Sequence, residues 1–421
     1  MPTYKGLRYL KDKLSLKKSR VLTRYRYYDM KQAVMDLGIS TPPDLRYWMG
    51  CLGWCSRAVD SLADRLCFRE FDNDGFGMNE IFNMNNKDVL IDSAVLGALI
   101  SSCDFIYIAA DENGYPRMRV VDGSHATGII DPITNMLQEG YAVLEFDDFD
   151  NPITEAYFIP GHTIIYTEGR ITADVPNDAP YPLLVPIIYR PDAKRPFGHS
   201  RISRACMSIV NSAIRTAKRS EIASEFFSYP QKYILGMNPD SEVMDKWKAT
   251  MSSMLRIDKD DDGDRPVVGQ FQSASMSPHT EQLRMFAGLF AGETGLTLDD
   301  LGFPSQNPSS AEAIKASHES LRLTARKAQN TMSVGLLNAG YLAACVRDRT
   351  PYLRSEVYNT KVKWEPIFEP DAAMLSSIGD GAIKINQAVP GYFNGEVLRD
   401  MTGVDGGTET NLFSLDLEGE E

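Results

Sequence analysis

Three aspartates at alternate positions, Asp258, Asp260 and Asp262, followed by Gly263, form the densest metal-capable run in the sequence. Carboxylates at that spacing with a glycine at the turn make the first half of a calcium loop, where oxygens gather around a hard cation. Such a loop needs a bidentate glutamate at its twelfth position, and here that position is Gly269. The run therefore reads as a solvated acidic turn. The stretch from Asp72, DNDGFGMNE, fails the same test.

Acid–base and nucleophilic chemistry finds no better local frame. The histidines, His125, His162, His199, His279 and His318, are dispersed, with none three or four residues from another, so no helical pair of imidazoles can share a metal. Gly198-His199-Ser200 lacks the second glycine of a nucleophile elbow. No Gly-x-x-x-x-Gly-Lys run offers a phosphate cradle. Cys51 and Cys55 have no second Cys or His pair to complete a zinc site; with Cys67, Cys103, Cys206 and Cys345 they read as reduced core residues. The expectation is a protein with no cofactor and no bound metal, and not an enzyme.

The chain has 421 residues, more than one ordinary core accommodates, so two or more packing units are expected. No stretch approaches the roughly 18 apolar residues of a membrane span, and no apolar signal segment opens the chain; a cytosolic protein is expected. A net charge of −13 argues against a protein that coats nucleic acid by charge alone. The distribution is uneven. Lys5, Lys11, Lys13, Lys17, Lys18, Arg20, Arg24 and Arg26 make a basic arm with interleaved tyrosines, while the tail LDLEGEE is acidic. The arm reads as a solvated, partly disordered terminus or as a surface for nucleic acid or an acidic partner.

Helical spacing runs from about Pro43 to Leu66, with Tyr47, Cys51, Trp54, Ala58 and Leu62 on one stripe, and again from Asn85 to Ser102. Between Phe105 and Tyr189 short alternating runs are broken by Asn-Gly, Asp-Asn-Pro and Glu-Gly, which predicts antiparallel hairpins. From Ser200 to Phe227 the period returns to 3.6, with Ile202, Cys206, Ile209, Ala213 and Ala217 apolar and Arg201, Arg204, Ser208, Asn211, Arg215 and Arg219 on another, solvated face. A small α/β segment follows to Ser277: a strand KYILG, a helix near Ser241 to Leu255 and a strand RPVVGQFQ. Ser277-Pro278 opens another helix, Ser as N-cap and Pro at the first helical position. Gly302 and Pro304 stop a short helix, and from Ser309 to Arg347 a long helix with possible bends at Gly335 and Gly340 carries an apolar seam. After Thr350 come a strand KVKWEPIFE, a helix from about Asp371 and another near Gly395 to Thr402.

The order of RPFGHSRI opening a helix, EFFSYPQKYILG, a small α/β segment, a Ser-Pro helix, GLTLDDLGFP and NPSSAEAIKASHESL resembles the portal proteins of tailed bacteriophages. The likeness covers about Tyr189 to Arg347 with useful specificity and the flanking parts loosely. Each motif is weak by itself; the order and spacing carry the resemblance. It implies an α+β portal fold: a helical part of a wing in residues 1–104, a β-rich wing in 105–199, stem helices in 200–227 and 277–293, and an α/β clip in 228–276. A tunnel-loop region in 294–310, a long wing helix in 311–349 and a C-terminal wing with a short crown in 350–421 complete it.

The resemblance also implies a homo-oligomeric ring, commonly of twelve copies, at one capsid vertex of the virion, assembled in the host cytoplasm. Double-stranded DNA would pass through it. The implied partners are the terminase large subunit, the major capsid or scaffold protein and a head-completion (adaptor) protein, with no membrane. Phe303, Ser305, Gln306 and Asn307 would lie on the tunnel loop; Arg215, Lys218 and Arg219 would serve subunit contacts or DNA; Lys246, Asp260 and Asp262 would belong to the partner-docking clip. Two other readings stand beside it. One is a metal-dependent nucleic-acid-processing enzyme with a helical stalk, which needs Asp258, Asp260 and Asp262 to bind metal. The other is a monomeric scaffold sharing the stalk-and-tip layout.

Overall fold

Hairpins form between Cys103 and Ile188 because apolar and polar residues alternate and the reversals have the turn chemistry the strands need. Glu168 and Gly169 both take positive φ (50° and 78°), the tight reversal that matches strand twist. Asp111 and Asp147 hold two of the other turns by accepting from amides two and four residues on. The computed structural model describes residues 4–35, 47, 50–149, 151–228, 232–235, 267–270, 275–304, 316–368, 370 and 372–404. In chain order its elements are α1 (Leu7–Tyr28), α2 (Trp54–Ala63), β1 (Phe68–Asp72), α3 (Met78–Met84), α4 (Lys87–Ser101), β2 (Cys103–Ala110), β3 (Pro116–Val121), β4 (Ala126–Ile130), β5 (Leu137–Phe146), β6 (Pro152–Ile159), β7 (His162–Thr167), β8 (Arg170–Pro176) and β9 (Leu184–Ile188). Then follow α5 (Arg204–Ser228), β10 (Lys232–Leu235), β11 (Val267–Gln270), α6 (Ser277–Thr294), α7 (Glu319–Asp348), β12 (Lys361–Trp364), α8 (Ala372–Ala388) and α9 (Gly395–Thr402). The fold is α+β.

One compact unit gathers Met1–Tyr28, Ser56–Ser203 and Glu312–Glu421. Its larger sheet is an antiparallel meander in the order β4-β5-β6-β7-β8, and a second sheet has the order β3-β2-β9. Tyr141 stands opposite Tyr157 across β5 and β6, and this face is covered by Leu10 and Leu14 of α1. Helix α4 is apolar nearly all round, as a helix enclosed by protein must be, with Ile91, Ala94, Val95, Ala98 and Leu99 buried. Gly97 lies where a Cβ would stand 1.8 Å from the Asp104 carboxylate, so only glycine lets that carboxylate in. The long helix α7 is unbroken through Gly335 and Gly340. These are places of close approach, not bends: a Cβ at Gly335 would meet Ile187 and Pro186, and one at Gly340 would meet Met78.

The other unit gathers Asp29–Cys55 and Arg204–Ala311. Here α5 and α6 pack together through Val210, Ala213, Ile214, Ala287, Phe290 and Ala291, all buried, and Trp54 sets its ring 5.7 Å from that of Phe290. Strands β10 and β11 pair antiparallel, Lys232 opposite Gln270.

Several expectations are corrected. The basic arm is not disordered: it forms α1 and buries Leu10, Leu14 and Val21 on one side, while Lys5, Arg20 and Arg26 stay exposed. Of the helix expected at Pro43–Leu66 only Trp54–Ala63 is helical among the described residues, and Tyr47 is exposed. The helix expected from Ser200 starts at Arg204, and Arg201, placed on the solvated face, is buried with its guanidinium on the Ala58 carbonyl at 3.2 Å. Met276 is the N-cap of α6, with Ser277 and Pro278 in its first turn. Cys51 and Cys67 are exposed; the other four cysteines are buried, and all six are free thiols. The helix expected at Ser241–Leu255 lies outside the described residues.

Candidate functional site

Of the residues expected to matter, Arg215, Lys218 and Arg219 fall on α5 and Phe303 in the turn after α6. On α5, the Arg215 guanidinium donates to the Ser212 hydroxyl at 3.0 Å, and Thr216, nearly fully buried, meets the Gln282 side-chain amide of α6 at 3.0 Å. Lys218 is only 7% exposed, which removes it from any face open to solvent in this chain. Arg215 and Arg219 are half-buried. The buried Nε of Arg219 has no hydrogen-bond partner among the described residues. Such an orphaned donor costs free energy until an acceptor is supplied.

The exposed face of α6 is unusual for a solvated helix. Met285 and Leu289 are each about half exposed, at 52% and 54%, and Gly288 and Gly292 between and beyond them have no neighbour within 4 Å of a Cβ position. At intervals of three and four residues these four share one face, offering a close-approach surface flanked by apolar side chains.

Beyond α6 the chain is tightly held. Gly295 ends the helix with φ 71°. Thr297 donates its amide and hydroxyl to one Asp300 carboxylate oxygen at 2.9 and 2.8 Å, and Leu301 is buried. Gly302 turns the chain with φ 88°, and the Phe303 amide closes back on the Leu298 carbonyl at 3.0 Å, leaving its ring half-buried. Phe303 thus stands on a rigid base. Ser305, Gln306 and Asn307 lie outside the described residues, as do Lys246, Asp260 and Asp262.

The carboxyl groups that the sequence did not single out, Glu139, Glu155 and Asp104, are in the first unit, and two of them receive the basic arm. Glu139, 1% exposed, accepts the Lys5 and Gly6 amides at 2.8 and 3.0 Å and the Tyr157 hydroxyl at 2.8 Å, so a buried carboxylate receives the amino end of α1. A carboxylate there answers both the free amides and the helix dipole. Glu155, also buried, accepts from the Lys11 ammonium at 2.6 Å and from the Tyr141 hydroxyl. Lys13 donates to the Gly128 carbonyl at 2.6 Å, and burial pushes its basicity down to about 8. Burial also lowers Lys17, which lies against the Phe105 and Phe197 rings. Asp104 accepts from the Ser101 hydroxyl and the Gly123 amide; burial, then the Asp122 charge, raises its carboxyl well above the usual range. Each of these groups joins one element to another. Only a periodic alternation was visible around them in the sequence, and an acidic residue at an inward strand position was the one available signal.

The histidines stay apart. His162 pairs with Asp174, and His199 with Asp192 in the loop before α5. Burial raises the Cys55 and Cys103 thiols, and Cys345 to about 11, which keeps them protonated and unreactive. Among the described residues no group of three or more His, Cys, Asp or Glu side chains is placed to hold a metal ion, and no helix is long and apolar enough to cross a membrane.

No family model matches the chain. Over 323 residues, 70% of the chain, it is 25% identical to the portal protein of Mycobacterium phage L5, and over 321 residues it is 24% identical to the portal protein of Mycobacterium phage D29. The chain spans 65% of the length of each of these relatives. Among solved structures it is similar to a chain from the virion of a native gene transfer agent particle, with a TM-score of 0.47 and 12% identity over 91% of this chain and 93% of that one. It is also similar to a chain from the neck of such a particle, computed with C12 symmetry, with a TM-score of 0.44 and 13% identity over 84% and 90%.

Proposed function

We propose that this chain, similar in sequence to phage portal proteins along 70% of its length, is a structural portal subunit that closes into a ring at one capsid vertex of a virion. The sequence similarity to two curated portal proteins carries this reading, and it joins the motif order between Tyr189 and Arg347. The ring, expected to have twelve copies, is the channel for double-stranded DNA on entry and exit. It meets the terminase large subunit first and a head-completion (adaptor) protein later, and it is seated in the major capsid or scaffold protein. Assembly takes place in the host cytoplasm. The subunit itself performs no catalysis; the motor partner hydrolyses ATP.

Physical features of the second unit support lateral assembly. A head-to-tail interface repeats until its rotation closes, and it needs an apolar surface that a lone chain leaves in water. Met285, Gly288, Leu289 and Gly292 on α6 provide one, and the half-buried Arg215 and Arg219 on α5 would serve subunit contacts or DNA. A ring of twelve copies at −13 each would carry about −156, so duplex DNA would slide past it with weak adhesion. Phe303, with Ser305, Gln306 and Asn307 beyond it, would follow the duplex from the fixed turn at Gly302. Lys246, Asp260 and Asp262 would face the packaging partners.

The test is the mass and image of the purified protein. Native mass spectrometry and negative-stain microscopy are expected to show rings of about a dozen subunits with a central hole. A monomer that persists at high concentration sinks the proposal. The enzyme reading turns on Asp258, Asp260 and Asp262, which lie outside the described residues, and no observation favours it.

A further inference from the structure

Helix α1 sets Lys13, Lys17, Arg20 and Arg24 four, three and four residues apart, on one face. That face meets the segment between β9 and α5. The Lys13 and Lys17 ammonium groups stand 4.8 and 5.8 Å from the centre of the Phe197 ring, and Lys194 and Arg195, both exposed, precede that ring in the chain. Arg24 reaches under the segment to the Ser101 carbonyl at the end of α4, at 2.7 Å. The neighbouring Ile100 and Leu99 carbonyls are taken by the Ser200 hydroxyl and the Arg201 amide.

We infer that Arg20, Arg24 and Arg195 form an anion site on the first unit that takes the phosphate groups of duplex DNA, in addition to any contact made near Phe303. The site reverses the sign of a chain whose net charge is −13. Of the nearby carboxylates, Asp122 acts on Lys17, and two others are committed elsewhere. Asp192 accepts from the Lys194 and Arg195 amides and from His199, whose other ring nitrogen meets the Arg195 guanidinium at 3.2 Å. Asp104 is held by Ser101 and Gly123, on the side of Lys17. Arg20 is exposed and has no ion pair among the described residues. Burial, then the charges of Arg20 and Arg195, push Arg24 down to about 10, so both of these guanidiniums lie within electrostatic reach of Arg24. A phosphodiester suits them better than a carboxylate. Its two unesterified oxygens can accept from forks held on different elements, and a duplex continues with further phosphates within reach of Lys194.

The experiment titrates the full chain against a fluorescently labelled duplex of about 25 base pairs over a series of salt concentrations. Exchanging the two exposed arginines, Arg20→Gln with Arg195→Gln, is expected to weaken binding about tenfold or more at low salt. It should also flatten the slope of log affinity against log salt by nearly 2, about 0.9 for each phosphate that is no longer neutralised. Arg24 is left in place because it caps α4, and an unchanged thermal midpoint shows that the double variant is folded. Lys384→Gln, at an exposed position of α8, should change neither affinity nor slope. Equal slopes for the double variant and the parent overturn the inference, as does a parent that does not bind the duplex. Competition by polyglutamate without competition by inorganic phosphate overturns the phosphate assignment. The outcome is independent of ring formation: a monomer with the expected slope keeps this site, and rings without it lose only this site.

Discussion

The two units are stabilised by opposite means. In the first, charge is taken inside: Glu139 receives the start of α1, Glu155 pairs with Lys11, and Asp104 fills a space that Gly97 leaves. A buried charge is tolerated only when it is fully partnered, and each of these groups has two or more partners. In the second, α5 and α6 share an apolar seam, while Met285 and Leu289 remain in water. The first unit holds these carboxyl groups within one chain. The second leaves an apolar face on α6 that a neighbouring copy can cover, which is the physical ground for locating subunit contacts there.

The sharpest way to break the first unit is at Gly97. In Gly97→Ala the new methyl would occupy the space of the Asp104 carboxylate, 1.8 Å away, and displace a hydrogen-bonded group into an apolar surround. The expected loss is on the order of 3 kcal/mol, seen as a lowered thermal midpoint. The double variant Gly97→Ala with Asp104→Ala should lose clearly less than the sum of the single changes, since the clash is then gone. Strict additivity would show that the two residues do not share this space.

Removing the carboxylate at the start of α1 should cost less. Glu139→Ala leaves the Lys5 and Gly6 amides and the Tyr157 hydroxyl without their acceptor, at a cost of about 2 kcal/mol. Hydrogen exchange should show this first in α1, with the amides of β5 and β6 still protected. Uniform loss of protection would mean that α1 and the sheet open as one body.

The difference between the units also explains what could be read in the sequence. Strand and helix periods were legible, so the hairpins at 105–189 and the helices expected at Asn85–Ser102 and 277–293 were found close to their ends. The basic arm was misjudged because Lys11, Lys13, Lys17 and Arg24 look like solvent residues until the fold supplies Glu155, the Gly128 carbonyl, the Phe197 ring and the Ser101 carbonyl. Those partners lie about eighty to 180 positions away in the chain, a separation that no local pattern encodes. The residues of α5 posed the same difficulty in reverse. Spacing put Arg215 and Arg219 on one stripe of α5, but only packing distinguishes the enclosed Lys218 beside them.

Lys13 gives the comparison a pH dependence. Burial lowers its basicity from 10.5 to about 8 in the folded chain, so the folded state holds this proton less tightly than the unfolded one. Between about pH 8 and 10.5 the unfolded chain binds more protons at this position, and stability contributed here rises with pH across that window. Lys13→Met should remove this part of the slope. Thermal melts of the parent and the variant at pH 8 and pH 10 isolate it, because the other lysines and tyrosines titrate in both; a difference that stays constant with pH would show that Lys13 keeps its ordinary basicity.

The smallest effect on folding is expected on the exposed face of α6. Met285→Ser with Leu289→Ser removes two side chains already half in water, so the isolated chain should change by no more than about 0.5 kcal/mol at each position. Assembly should respond differently. If a neighbouring copy covers this face, each truncation removes apolar surface from every interface in the ring, and the deficit repeats at all of them. The variant should therefore melt like the parent when both are held as monomers, yet sediment as a monomer at concentrations where the parent forms rings. Rings that form equally well would move the subunit contact off α6, and a large drop in monomer stability would mean that these two side chains already belong to a core within the chain.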